Sequence, residues 1–367
     1  MTFAIHGLGT ANPPDALSAD DGLRLARFLA GPDVRTSTWL VPVYANSGVR
    51  QRYQVIGGAV VRDIFDGEDR TKSPFYPTAA NEGVGPTTGQ RMRMYADEAG
   101  PLALRAARQA VAESGFAPES FTHLVTVSCT GFGAPGVDLA LIRGLGLRPT
   151  VERTHVGFMG CHGALNGLRA ANAFASADPG ARVLVAAVEL CSLHYYYGSE
   201  PDKLIANAIF ADGAAAVVGT GGAGDRPAWA LRASGSCLIP ESAADMGWVV
   251  GDHGFVMTLS RRVPALIAAR LRPWLEGWLG GHGLSLADVT GWAVHPGGPK
   301  ILTAVEEALA LPPAALAASR AVFAERGNMS SPTVLFVLDQ LRRGGVSGPC
   351  VALGFGPGLV AEAALFG

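Results

Sequence analysis

A β-branched run passes directly into an Ala- and Leu-rich one between Val151 and Ala177, through the corner Met159-Gly-Cys-His-Gly163. Val151 to Phe158 reads as a short buried strand. Ala164 to Ala177 reads as a helix. Gly160 and Gly163 allow a tight turn between them. A strand that feeds a helix with almost no linker is the unit of α/β folds. This corner also exposes one side chain, Cys161, at or just before the first helical turn. Free N–H groups and the positive end of the helix dipole there are expected to favour thiolate over thiol.

The same alternation extends along the chain. Phe3–Gly9, Phe121–Cys129, Val183–Val188 and Ala214–Val218 read as strands. Helices are expected over Asp20–Ala30 and Gln90–Ser114, with a Gly- and Pro-rich loop from Asp66 to Gly89. Gly219 to Pro227 reads as a flexible break, and a boundary between two halves, 1–222 and 223–367, is placed there. Beyond it, strands at Trp229–Cys237 and Gly291–His295 alternate with helices at Val263–Leu279 and Ser331–Arg343. Val351–Phe355 and Leu359–Leu365 close the chain as a strand pair around Gly354-Phe-Gly-Pro-Gly358. Both halves are therefore expected to be α/β.

Composition narrows the functional classes. The 367 residues are 49% hydrophobic and 16% charged, with a formal net charge of -2. That is the balance of a well-packed enzyme, and it points neither to nucleic acid nor to an anionic membrane surface. No apolar run reaches the roughly 18 residues that cross a bilayer, and no signal peptide is expected at the N-terminus. Cysteines 129, 161, 191, 237 and 350 are dispersed and odd in number, without CxxC or zinc spacing. The simplest reading is a cytoplasmic protein without a structural metal. Cys191, Cys237 and Cys350 read as small buried hydrophobes. His162 reads as structural, because adjacent helical residues do not face each other.

Two further positions join Cys161. His295 ends a strand ahead of Pro296-Gly-Gly-Pro299, and Asn328 lies in Arg326-Gly-Asn-Met-Ser-Ser-Pro332. Both sit at loop ends, where catalytic groups concentrate. A histidine within reach of the cysteine would hold it as thiolate. A neutral amide donor beside that histidine would stabilise an oxyanion or enolate. Cys, His and Asn together suit acyl transfer followed by carbon–carbon bond formation.

These motifs resemble those of the type III polyketide synthases, the chalcone synthase-like branch of the thiolase superfamily. The resemblance rests on Gly160-Cys161, Trp292-Ala-Val-His295-Pro-Gly-Gly-Pro299, Gly327-Asn328-Met-Ser-Ser331, Ile209-Phe210-Ala-Asp-Gly-Ala-Ala-Ala216 and Gly354-Phe-Gly-Pro-Gly358, in one order from about Phe3 to Phe366. It implies a five-layered αβαβα fold of two similar halves, usually as a homodimer. It implies that Cys161 is acylated by a starter thioester, and that His295 and Asn328 stabilise the enolate left when malonyl-CoA loses carbon dioxide. No metal or redox cofactor is implied. Phe210 resembles the aromatic gatekeeper between the coenzyme tunnel and the reaction cavity.

The departures from the plant pattern concern the cavity and its mouth. Met257 stands where plant relatives carry a second aromatic gatekeeper, and Trp248 falls near a cavity-lining glycine of those relatives. Tyr195 lies in a cavity-wall segment. Cys129-Thr130-Gly-Phe-Gly-Ala-Pro135 resembles bacterial members that handle alkyl chains, which implies an alkylpyrone or alkylresorcinol-like product. Thr36 to Gly48 lacks the Lys and Arg that plant members place there, so Arg50, Arg52, Gly297 and Lys300 are the expected coenzyme contacts. The alternatives are a donor carried on acyl carrier protein, and a ketoacyl synthase III-like enzyme that condenses once.

Overall fold

The computed structural model describes residues 2–31, 34, 38–222 and 229–367. Most of the break expected at Gly219–Pro227 lies outside the described residues. The strands are β1 (Phe3–Ala11), β2 (Ala16–Ser18), β3 (Gln51–Tyr53), β4 (His123–Ser128), β5 (Glu152–Gly157), β6 (Arg182–Leu190), β7 (Asp212–Gly221), β8 (Ala230–Leu238), β9 (Met246–Gly251), β10 (Gly254–Leu259), β11 (Gly291–Val294), β12 (Cys350–Gly356) and β13 (Val360–Phe366). Nine of them form one mixed sheet in the order β11-β12-β13-β8-β1-β7-β6-β4-β5. Its two halves join where β1 meets β8, at Phe3 with Leu231 and Ala4 with Ala230.

Side-chain alternation along the strands builds the layers. Leu124, Leu184, Ala186 and Val188 point outward onto the helix Thr88–Ser114. Their neighbours Val125, Val127, Val183 and Val185 point inward onto Leu165 and Leu168 of the helix Gly163–Ala177 and onto Leu335 of the helix Thr333–Arg343. Ala293 and Ala352 of the other half meet the same two helices. Trp292, Val294, Val351 and Leu353 face the opposite way, onto the helices Val263–Gly280 and Pro299–Leu309. Helix, sheet, helix pair, sheet and helix therefore stack in the five-layered αβαβα arrangement.

Two expectations need correction. The strand before Cys161 is not buried: β5 is the sheet's edge, and its residues are exposed or half-exposed. Pro332 caps the last central helix rather than sitting in its first turn. Among the elements the sequence reading passed over are the short helices Leu40–Ala45 and Pro201–Ile209 and the hairpin β9–β10. All three surround the site.

Candidate active site

The nucleophile turn is a single 3₁₀ turn, Gly160–His162, wedged between β5 and the central helix. Gly160 has φ 66°, and a Cβ there would lie 2.5 Å from Cδ of Pro357, so only glycine fits. A Cβ on Gly163 would already be 3.0 Å from Val127, and one on Gly167 would be 2.8 Å from it. Two glycines four residues apart thus seat the helix tightly on β4 and fix the height of Cys161.

His295 follows β11, and its N–H extends the ladder to Leu353 O at 2.8 Å. Asn328 is held by a parallel bridge: its N–H donates to Ile209 O and its carbonyl accepts from Ala211 N–H, both at 2.8 Å. That bridge places Phe210 beside Asn328. The Asn328 side chain is oriented as well. Its Oδ1 accepts from the Ser330 N–H at 2.8 Å, so Nδ2 is the end turned toward Gly297, whose carbonyl lies 3.4 Å away. Ser330 adopts the left-handed φ of 56° that this needs. The Ser330 hydroxyl and the Asn328 amide are the polar groups that pull the pKa of the Cys161 thiol down.

Burial dominates the electrostatics. His295 and Asn328 are each 1% exposed. Burial pushes the Cys161 thiol up to about 11, against hydrogen bonds from Ser330 and Asn328 that pull it down. His295 is driven down to about 3, by burial first and then by the neighbouring His162. This corrects the thiolate expectation. Loss of solvation works against the turn's dipole and raises the thiol, the opposite of that expectation. A neutral imidazole keeps one ring N–H to donate.

Cys161 opens onto a cavity of about 810 Å³. Cys129, Thr130, Tyr195, Phe210, Trp248, Met257, Gly297 and Lys300 all line it. Phe210 and Met257 pack with Cys161 in one apolar cluster against Leu40 and Tyr44. The indole N–H of Trp248 donates to Cys129 O at 2.7 Å, which fixes the ring across the cavity. Tyr195 donates its hydroxyl to Gln54 at 3.0 Å. The two upstream arginines go elsewhere. Arg50 is an exposed side chain paired with Glu325. Arg52 is 3% exposed and stacked between Tyr44 and Tyr195, with its carbon at 5.8 and 5.6 Å from the ring centres. A buried guanidinium committed to two tyrosines cannot meet a coenzyme phosphate, which corrects that expectation for Arg52.

Family models describe the two halves of the chain. The chalcone and stilbene synthase N-terminal domain matches residues 46–223, and the corresponding C-terminal domain matches residues 230–367. The chain belongs to the chalcone and stilbene synthase family. It is 34% identical to the bisdemethoxycurcumin synthase of Oryza sativa subsp. japonica, over 99% of this chain and 91% of that one. It is 30% identical to the alpha-pyrone synthesis polyketide synthase-like protein of Mycobacterium tuberculosis, over 99% and 90%. The crystal structure of PKS-I from the brown alga Ectocarpus siliculosus superposes with a TM-score of 0.91 at 32% identity, covering 100% of this chain and 98% of that one. Plant, bacterial and algal relatives are thus similar to a comparable degree. The protein is a condensing acyltransferase of the type III polyketide synthase class, and its chemistry is iterative Claisen condensation.

Several residues of this type III synthase site escaped the sequence reading. Glu189, fully buried at the end of β6, accepts from Cys129 N–H (2.9 Å), Thr130 N–H (3.0 Å), the Thr130 hydroxyl (2.7 Å) and the Ser331 hydroxyl (2.6 Å). Burial still raises its carboxyl above the ordinary range. One acid inside the apolar run Val183–Leu190 was the available signal. His194 is fixed in one tautomer: Nε2–H donates to Thr130 O at 2.7 Å and Nδ1 accepts from Phe255 N–H at 2.9 Å. It stacks on Phe255 and meets Trp248 edge-on, so it walls the same end of the cavity. Nothing in its sequence setting marked it. Among the described residues, no group of three or more His, Cys, Asp or Glu is placed to hold a metal ion. No described helix is long and apolar enough to cross a membrane.

Proposed function

We propose that Cys161 carries the growing acyl chain and that His295 and Asn328 hold the enolate. The supporting observation is a thiol whose pKa is lowered by Asn328 and Ser330 and which opens onto one large cavity. The Cys161 sulfur, its proton passed to His295, attacks the starter thioester carbonyl and displaces the donor thiol. Malonyl-CoA then loses carbon dioxide, and the electron pair remains as a thioester enolate. A ring N–H of His295 and Nδ2–H of Asn328 donate to its oxygen. The enolate carbon attacks the acyl carbonyl, the carbon–sulfur bond to Cys161 breaks, and the longer chain returns to Cys161 for the next cycle.

The boundaries of the reading follow from the same site. The two halves are residues 1–222, which carry the cysteine, and 223–367, which carry His295 and Asn328. Phe210 and Met257 form the junction between tunnel and chamber. Cys129, Thr130, Tyr195 and Trp248 form the chamber wall. Gly297 and Lys300 receive the coenzyme, because Lys300 is an exposed cation in the first turn of Pro299–Leu309, where helix N–H groups favour phosphate. The bacterial-type segment Cys129–Pro135 and the mostly apolar wall favour an alkyl starter and an alkylpyrone or alkylresorcinol-like product. Phe132, 54% exposed, and Phe158, 40% exposed, lie beside the open edge of β5 and favour a homodimer across that edge. Five free cysteines suit a reducing cytoplasm.

Mass spectrometry tests the reading. Incubation with acyl-CoAs of graded length should leave an acyl mass on the Cys161 peptide and release products with two or more malonyl-derived units. Cys161→Ala should lose both. A product with one added unit, or acylation that survives Cys161→Ala, would refute it.

A further inference from the structure

We infer that Thr88 and Arg91, in the first turn of the outer helix Thr88–Ser114, are positioning residues that limit product length by fixing the hairpin β9–β10, one wall of the cavity. The inference rests on the proposed reading of that cavity as the reaction chamber. The hairpin is a two-stranded sheet of its own, outside the nine-stranded one. Trp248 and Met257 stand directly opposite each other in its register, and both line the cavity. Val249 and Val256, the next pair, are exposed on the other face. The wall has solvent behind it there, so its placement depends on what grips its turn and its flank.

Thr88 grips the turn. Its N–H donates to Asp252 O at 2.7 Å, its hydroxyl donates to Gly251 O, and the same hydroxyl accepts from Gly254 N–H at 2.8 Å. One threonine thus satisfies backbone groups on both strands where the hairpin reverses. His253 adds a bond from Nδ1–H to Gly85 O at 3.0 Å. Arg91 grips the flank. It is 1% exposed, and among the described residues its acceptors are backbone carbonyls: Pro86 O at 2.9 Å, Tyr195 O at 3.2 Å and Leu193 O. Phe75 and Tyr197 lie 5.9 and 5.8 Å from its guanidinium carbon. Leu193 and Tyr195 bracket His194, whose Nδ1 accepts from Phe255 N–H of β10 at 2.9 Å. Gly254 lets the guanidinium in, since a Cβ there would lie 2.9 Å from Arg91 Nε, and its φ of 108° also calls for glycine. Burying a cation is costly, and an apolar side chain would fill the slot without that cost. What the guanidinium adds is a rigid fork that ties the helix, the segment 193–195 and the loop at Pro86 to one point.

The test compares Thr88→Val, Thr88→Ser and Arg91→Lys with the wild type, using hexanoyl-CoA and malonyl-CoA and resolving products by mass. Valine keeps the shape of threonine and removes both hydroxyl bonds, whereas serine keeps the hydroxyl. Thr88→Val should raise the ratio of over-extended to main product about tenfold, the order expected for two lost hydrogen bonds. Arg91→Lys should shift the ratio in the same direction, and Thr88→Ser should keep the wild-type ratio. Acylation of Cys161 by hexanoyl-CoA alone should be unchanged in Thr88→Val. A merely structural role would lower all products by one factor and leave their ratio alone. Val111→Ala, buried at the far end of the same helix, supplies that comparison. If Thr88→Val does not fold, Arg91→Lys decides by the same ratio. A wild-type ratio in the folded variants, or an equal shift in Val111→Ala, would overturn the inference and leave the chamber standing. A wild-type protein that does not acylate Cys161 would instead overturn the reading of the chamber, and the inference with it.

Discussion

Gly356→Ala should act on the reaction from the far side of the nucleophile turn. A Cβ at this position would stand 2.6 Å from His162 Nε2 and 2.8 Å from Met159 O. Packed carbon contacts sit near 3.5–4.0 Å, so the overlap is about 1 Å. The ring cannot simply swing away, because Nδ1 is bonded to Asn166 and the backbone belongs to the turn that holds Cys161. The turn itself must move. Overpacking of this kind costs about 1–3 kcal/mol of stability, and a displacement of about 1 Å at a reacting atom costs about 10²-fold in rate. The assay is kcat for malonyl-CoA consumption at pH 8, where His162 is neutral, together with urea unfolding. Adding His162→Ala to Gly356→Ala removes the ring but leaves Met159 O in place, so about tenfold of the loss should return. Gly277→Ala, on an outer helix where a Cβ meets nothing within 4 Å, should leave kcat unchanged. Wild-type kcat in Gly356→Ala, or a loss that His162→Ala does not relieve, would refute the packing argument.

Acid should destabilise the fold through His295. Its folded-state pKa of about 3 lies below the ordinary 6.5, so the unfolded chain binds the proton first and stability falls as pH drops below 6.5. At about 1.4 kcal/mol per pH unit, moving from 6.5 to 5 costs about 2 kcal/mol. Urea unfolding at both pH values should show His295→Gln free of that share, and an unchanged loss would count against it. Arg52→Ala should cost about 3 kcal/mol, by removing a buried cation from Tyr44 and Tyr195, while leaving the malonyl-CoA KM of the folded fraction unchanged. Lys300→Ala should do the reverse, raising that KM without lowering the urea midpoint. Trp248→Ala should open the wall held to Cys129 O and shift product masses upward by at least one malonyl-derived unit; an unchanged product set would show that Trp248 does not limit chain growth.

Local chemistry was legible in the chain, and long-range placement was not. The nucleophile corner could be read because its signals are contiguous: β-branched residues, glycines and an Ala-rich helix within thirty residues. The burial of β5 was misjudged for the opposite reason. Whether a strand lies inside a sheet or at its edge depends on which strands pair with it, and β4 shields only one side. Arg52 was misplaced in the same way. Its neighbours in sequence, Arg50 and Gln51, suggest a polar surface, whereas its neighbours in space, Tyr44 and Tyr195, come from either side of it along the chain and make a buried slot.

The charge state of Cys161 shows the limit most clearly. A helix N-terminus is a local feature, and on its own it favours the thiolate. The burial that opposes this comes from Phe210, Met257, Tyr44 and Leu40, gathered from three separate segments of the chain. Burial therefore works against the dipole at this turn and pushes the Cys161 thiol up to about 11.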